Sequence, residues 1–206
     1  MIDHRLMPVL RAVLDPPARA LSARGVTADQ MTILGFTLGL AAVAALAVGV
    51  FGLALLLILA NRIADGLDGA IARRTRPTDR GAFLDIALDF VFYALVPLGF
   101  ALSDPAANAL PAAALIASFV GTGSSFLAYA SIAARRGLTA EAYPTKGIYY
   151  LGGLAEGAET IAVFVAMCVW PAAFPALAWA FAALCAVTTL SRWHQGWAAF
   201  GSTSNS

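Results

Sequence analysis

The chain has 206 residues, 60% of them hydrophobic and only 12% charged, with a mean hydropathy of +0.78. Ordinary soluble domains carry about 25% charged residues, so too little polar surface is present to keep a globule of this size in water. The formal net charge of +1 offers no electrostatic footprint for nucleic acid, and Cys168 and Cys185 lie in apolar runs without metal-type spacing.

Taken in chain order, residues 2–14 place Ile2, Leu6, Val9, Leu10 and Val13 near helical spacing, with Arg5 and Arg11 elsewhere. That pattern suits a helix lying in the membrane interface over about residues 2–20, with Pro8 as an interruption and a flexible leader as the alternative. No uninterrupted apolar core of a cleavable signal precedes the first span, which therefore acts as the targeting signal. A membrane span needs about 20 mostly apolar residues. Six such stretches are expected, at 30–50, 52–73, 82–102, 109–133, 147–169 and 172–192. Breaks fall at Gly49–Gly52, Ser103–Pro105 and Trp170–Pro171, where glycine, proline and polar residues end helices. Residues 201–206, GSTSNS, read as a tail. The expected fold is an all-α integral membrane protein, a single domain over 1–206 with six transmembrane helices and an N-terminal interfacial helix.

The basic residues orient it. Arg5, Arg11, Arg19 and Arg24 precede the first span, and Arg73, Arg74, Arg76 and Arg80 follow the second. Arg135, Arg136 and Lys146 lie between the fourth and fifth, Arg192 ends the sixth, and the other three connections carry no base. The positive-inside rule puts both termini in the cytoplasm of a bacterial inner membrane.

Ionisable groups inside a bilayer cost about 2.5–3.5 kcal/mol each on insertion scales. The second span nevertheless carries Asn61, Arg62, Asp65 and Asp68, and the third carries Asp85 and Asp89. Spacings of three and four put Asn61, Asp65 and Asp68 on one helical face and Asp85 and Asp89 on another, and the short connection RTRPTDR makes the two helices antiparallel neighbours. Four packed carboxylates repel one another unless a cation joins them. Hard divalent ions such as Mg²⁺ or Mn²⁺ prefer such oxygen ligands, and the lack of His or Cys argues against zinc. A salt-bridge cluster with Arg62 and Arg73, or a proton relay in a transporter, remains the alternative on spacing alone.

The segment from Asp65 to Asp89 reads DGLDGAIARRTRPTDRGAFLDIALD, which is D-x2-DG-x2-AR-x7-G-x3-D-x3-D. It resembles the signature of the CDP-alcohol phosphotransferase family at all eight defining positions: Asp65, Asp68, Gly69, Ala72, Arg73, Gly81, Asp85 and Asp89. The resemblance implies transfer of a substituted phosphate from a CDP-linked donor to an alcohol hydroxyl, with release of CMP. It implies two Mg²⁺ or Mn²⁺ ions held by Asp65, Asp68, Asp85 and Asp89, with Asp89 also taking the proton from the attacking hydroxyl. Asp65, Asp68, Gly69, Arg73 and Gly81 are expected at the CDP moiety. Thr32 joins them as a nucleotide contact or else serves as a capping or packing residue, because Ala28-Asp29-Gln30 departs from the family's Pro-Asn form.

CDP-diacylglycerol is the expected donor, drawn from membrane lipid, and homodimers are common in the family. A small CDP-alcohol with a lipid acceptor is the alternative within the family, and a proton- or metal-coupled transporter the alternative outside it. Arg135, Arg136 and Lys146 favour an anionic acceptor such as glycerol 3-phosphate. Glu156 and Glu159, read as about ten residues into the fifth span, line the acceptor pocket or bond to neighbouring helices.

Overall fold

A computed structural model of the chain describes residues 2–137 and 155–201, with side chains from residue 12 onward. Lys146, the first part of the span expected at 147–169, the side chains of residues 2–11 and the tail after Gly201 lie outside the described residues. Seven α-helices and one 3₁₀ turn make up the described chain, and no strand occurs among the described residues. They are α1 (Ile2–Ala23), α2 (Ala28–Ala47), α3 (Phe51–Arg74), α4 (Asp79–Ser103), α5 (Pro105–Arg135), α6 (Gly157–Val169) and α7 (Phe174–Gly201).

Local chemistry sets the boundaries. Gly25, at φ +81°, ends α1, and the Val26 amide bonds back to the Leu21 carbonyl at 3.1 Å. Thr27 and Gln30 then form a reciprocal capping box, so α2 starts at Ala28. Gly49, at φ +75°, turns the chain into α3, which makes α2 and α3 antiparallel neighbours. Thr78 caps α4 through the Gly81 amide, and Asp104 both ends α4 and caps α5 through Ala107.

Four helical segments are long and apolar enough to cross a membrane: α2, α4, α5 and the stretch Pro171–Gly201. Helix α3 has 24 residues, about 36 Å at 1.5 Å per residue, but its second half carries the charged cluster. Helix α6 is apolar and has 13 residues. Leu56, Leu110 and Val120 are 65–70% exposed, an outward apolar surface that suits lipid rather than water.

The main core lies between α2, α3, α4, α5, α6 and α7. Leu46, Ile58, Phe92, Val96, Phe100 and Phe164 are among its fully buried side chains. Phe100 stacks on Phe174 with centroids 4.5 Å apart, which ties α4 to the start of α7. Close helix contact depends on small residues. A Cβ on Gly99 would come within 2.8 Å of the Leu46 Cβ and 3.1 Å of the Val43 carbonyl, so α2 and α4 approach there as only glycine permits.

Helix α1 does not break at Pro8 or at Pro16–Pro17; it runs as one helix from Ile2 to Ala23. Leu14, Ala18 and Leu21 pack on Ala64, Leu67 and Ile71 of α3, forming a second, smaller core. A 2.8 Å ion pair from Arg74 to Asp15 joins the same two helices. Thus α1 braces the half of α3 that carries the aspartates.

Candidate active site

Asp65 and Asp68 project from α3, and Asp85 and Asp89 from α4. One carboxylate oxygen from each of Asp65, Asp68 and Asp85 lies within 4.8 Å of the other two. Three acidic side chains from two helices therefore converge as oxygen donors with no His or Cys among them. That donor set fits a hard divalent cation.

Each carboxylate is held differently. Asp68 is buried, and its Oδ2 accepts a 2.7 Å hydrogen bond from the Thr32 hydroxyl of α2. The Ala28 carbonyl lies 3.1 Å from the same hydroxyl. Since the hydroxyl has one proton, the shorter contact to a carboxylate is the stronger claim on it. Thr32 therefore reaches the site through Asp68, a contact outside both roles expected for it from the sequence.

Asp89 is not one of the converging three, and Arg62 links it to Asp65. Asp89 Oδ1 accepts a 2.8 Å hydrogen bond from Arg62 Nη2, and Arg62 Nη1 lies 3.6 Å from Asp65 Oδ2. The pairing of Arg62 with aspartates thus coexists with the acidic cluster; the two readings do not compete. Arg62 is itself fixed by Asn61, whose Oδ1 accepts from Arg62 Nε at 2.6 Å. The Asn61 amide donates in turn to the Gly35 carbonyl of α2 at 2.7 Å. Phe92 and Tyr93 of α4 place their rings beneath the guanidinium, with centroids 4.9 and 5.6 Å from its carbon.

The four aspartates, Thr32 and Arg62 all line one cleft. Gly69, Arg73 and Gly81 do not line it. Gly81 sits where α4 begins against α2, so that a Cβ would lie 3.2 Å from both Asp29 Oδ1 and Thr78 Oγ1. Asp29 also accepts from Arg80 Nε at 2.9 Å, which pins the start of α4 to α2. Arg73 is exposed at the end of α3, and a Cβ on Gly69 would meet its Nη1 at 3.2 Å.

One expectation outside the motif needs correction. Glu156 and Glu159 do not lie ten residues into a helix, because the chain is non-helical at 155–156. Glu156 is the N-cap of α6, Glu159 is in its first turn, and neither lines the aspartate cleft. Arg136 donates to the Ala199 and Phe200 carbonyls and lies 5.2 Å from the Phe200 ring centroid, so it fastens α5 to the last turn of α7.

The charge pattern and helix geometry coincide with a known group of proteins. The CDP-alcohol phosphatidyltransferase family model matches residues 25–191. The chain belongs to the CDP-alcohol phosphatidyltransferase family. It is an enzyme of phosphotransfer, as the motif of α3 and α4 led one to expect. The chain is 49% identical over 197 residues to the inner membrane protein YnjF of Escherichia coli, covering 96% of each. It is 37% identical over 97 residues to the archaetidylinositol phosphate synthase of Methanothermobacter thermautotrophicus, covering 47% of this chain and 48% of that one. Among solved structures, it is similar to the phosphatidylinositol phosphate synthase of Mycobacterium tuberculosis with CDP-DAG bound. That match has a TM-score of 0.66 and 28% identity, covering 90% of this chain and 94% of the other. The same mycobacterial protein in complex with manganese and citrate matches with a TM-score of 0.65 and 26% identity, covering 89% and 88%.

Proposed function

We propose that the chain transfers a phosphatidyl group from CDP-diacylglycerol to an alcohol hydroxyl, with release of CMP, in a reaction that requires divalent metal. The observation that carries this reading is the convergence of Asp65, Asp68 and Asp85 within 4.8 Å, next to Asp89 on α4. The family relationship and the CDP-DAG and manganese complexes of the mycobacterial relative support it.

Asp65, Asp68 and Asp85 would hold the cation that grips the diphosphate, and Asp89 would complete a second position. When bound, Mg²⁺ or Mn²⁺ would offset negative charge on the transferring phosphate and the departing CMP. The hydroxyl oxygen bonds to the lipid-bearing phosphorus as the bond from that phosphorus to the CMP oxygen breaks. Asp89 accepts the hydroxyl proton, and the Arg62 contact to its Oδ1 fixes the direction of the carboxylate. Thr32 orients Asp68 in the same way. Arg73 and Gly69 would meet the nucleotide at the end of α3, where a guanidinium can fork onto phosphate oxygens.

A polyol phosphate is the acceptor class that the relatives favour, since two of them are synthases of inositol phosphate lipids. The decisive assay incubates purified protein with CDP-diacylglycerol and Mn²⁺ and follows CMP with glycerol 3-phosphate, inositol phosphate, serine or choline added singly. CMP release that depends on a phosphorylated polyol is expected; release with serine or choline alone would overturn the acceptor reading.

The same reading places six spans in the inner membrane, α3 and α6 included, with both termini and the aspartate cleft on the cytoplasmic side. Four arginines around the α3–α4 connection and none around Asp104 support this orientation. Single cysteines in place of Pro77 and Ala106, both exposed, are expected to label from opposite sides of sealed vesicles. Cys168 and Cys185 are buried and give little background. Labelling of both sites from one side would overturn the arrangement.

A further inference from the structure

Arg62 stands three residues before Asp65, one helical turn away, with its side chain only 16% exposed. All three guanidinium nitrogens are engaged by the protein. Nε donates to Asn61 at 2.6 Å, Nη1 to the Tyr93 hydroxyl at 3.4 Å and Nη2 to Asp89 at 2.8 Å. The Phe92 ring closes one face. A cation fixed in this way is part of the site's permanent charge, shielded from the salt that would screen it at a surface.

Its position divides the four aspartates unequally. Asp65, Asp68 and Asp85 converge on one another, whereas Asp89 takes the closest carboxylate contact to the guanidinium, 2.8 Å against 3.6 Å for Asp65. Four carboxylates and one guanidinium carry three negative charges together. One divalent cation at the converging three leaves a single negative charge. A second would turn the site positive while meeting Arg62 at Asp89. Inside a low-dielectric helix bundle that excess is unfavourable unless an anion enters too. The diphosphate of the nucleotide is such an anion. Without Arg62 the same two cations would bring the carboxylates to neutrality, and no anion would be required.

We infer that Arg62 couples the second divalent cation to the nucleotide: the first ion loads on Asp65, Asp68 and Asp85 alone, and the second binds well only together with the diphosphate. The inference rests on the metal-dependent reading above. Arg62 is therefore a positioning residue that sets the order of assembly and keeps the site from filling with metal before the donor arrives.

The test is direct binding of Mn²⁺ to the full chain in detergent micelles, followed by calorimetry and by the manganese paramagnetic signal, with and without CDP. In the unaltered protein one ion should bind without CDP. CDP should tighten the second by at least about tenfold, equivalent to about 1.4 kcal/mol. Arg62→Met should bind both ions without CDP and lose that coupling, while Arg62→Lys, which keeps the charge, should restore it. Two equally tight ions in the unaltered protein without CDP would overturn the inference, whether or not Arg62→Met folds. So would Arg62→Met isotherms that match the unaltered protein. If the unaltered protein binds no Mn²⁺ under either condition, the metal-dependent reading fails as well, an outcome distinct from the other two.

Discussion

Removal of divalent cations is expected to bring CMP release down to background, and added Mn²⁺ or Mg²⁺ to restore it. The expectation follows from repulsion. Two unit charges 4.8 Å apart at an effective dielectric of about 20 repel by about 3.5 kcal/mol. Asp65, Asp68 and Asp85 form three such pairs, at that separation or less. Arg62 cannot offset all of this with one charge, and its shortest contact to a carboxylate is to Asp89, which is not one of the converging three. A divalent ion can do so, and it also gives the diphosphate something to bind. Asp68→Asn should therefore act like chelation. It keeps the volume and the contact to Thr32 but removes a charge and a ligand oxygen from a buried position. Activity should fall by at least about a hundredfold, as is usual when a group that stabilises transition-state charge is lost. The check is CMP release against total Mn²⁺ for both proteins. Full activity in excess chelator would remove the metal from the mechanism, whatever the variant did.

Much of this arrangement is legible along a single helix and little of it between helices. The spacings Asp65–Asp68 and Asp85–Asp89 are enough to place each pair on one face, and a short connection is enough to make α3 and α4 neighbours. Nothing in those spacings says which carboxylate of one helix opposes which residue of the next. So the spacings group all four aspartates alike, whereas Arg62 bonds to Asp89 at 2.8 Å and lies farther, at 3.6 Å, from Asp65. A hint was available: an arginine one turn before Asp65, in a segment otherwise fit to span lipid, must find carboxylate partners nearby. A proline in the sequence does not by itself mark where a helix starts. Proline is tolerated in the first turn, where its missing N–H is not needed, so α5 begins at Pro105 and not near residue 109. Pro8 likewise stands within α1 without ending it, and the helix packs on α3 through Leu14, Ala18 and Leu21. Glu156 was misplaced because a long apolar run looks like one continuous helix, while the structure uses that residue to begin one.

Asp89→Asn should lower the turnover number by about 10²–10⁴-fold, the range for loss of a positioned proton acceptor. The change is small in shape and large in function. The amide keeps the size of the side chain, and its oxygen can still accept from Arg62 Nη2, now 2.8 Å from the carboxylate. Arg62 also keeps Asp65 at 3.6 Å, Asn61, Tyr93 and the Phe92 face, so the helix pair should stay assembled. An amide cannot take up the hydroxyl proton, and it brings no charge to a second cation. Asp65, Asp68 and Asp85 are untouched, so the first cation and the grip on the diphosphate should survive. The loss should therefore appear mainly in turnover measured at saturating Mn²⁺, where the apparent KM for the CDP-linked donor rises by no more than the about tenfold coupling between second cation and nucleotide. Asp65→Asn should raise the donor KM further, because it loosens the ion that holds the diphosphate. Steady-state rates of both variants against donor concentration separate the two roles. If Asp89→Asn kept more than about a tenth of the rate, it could not be the proton acceptor, since such bases contribute at least about a hundredfold. Its bond to Arg62 would then be its main task.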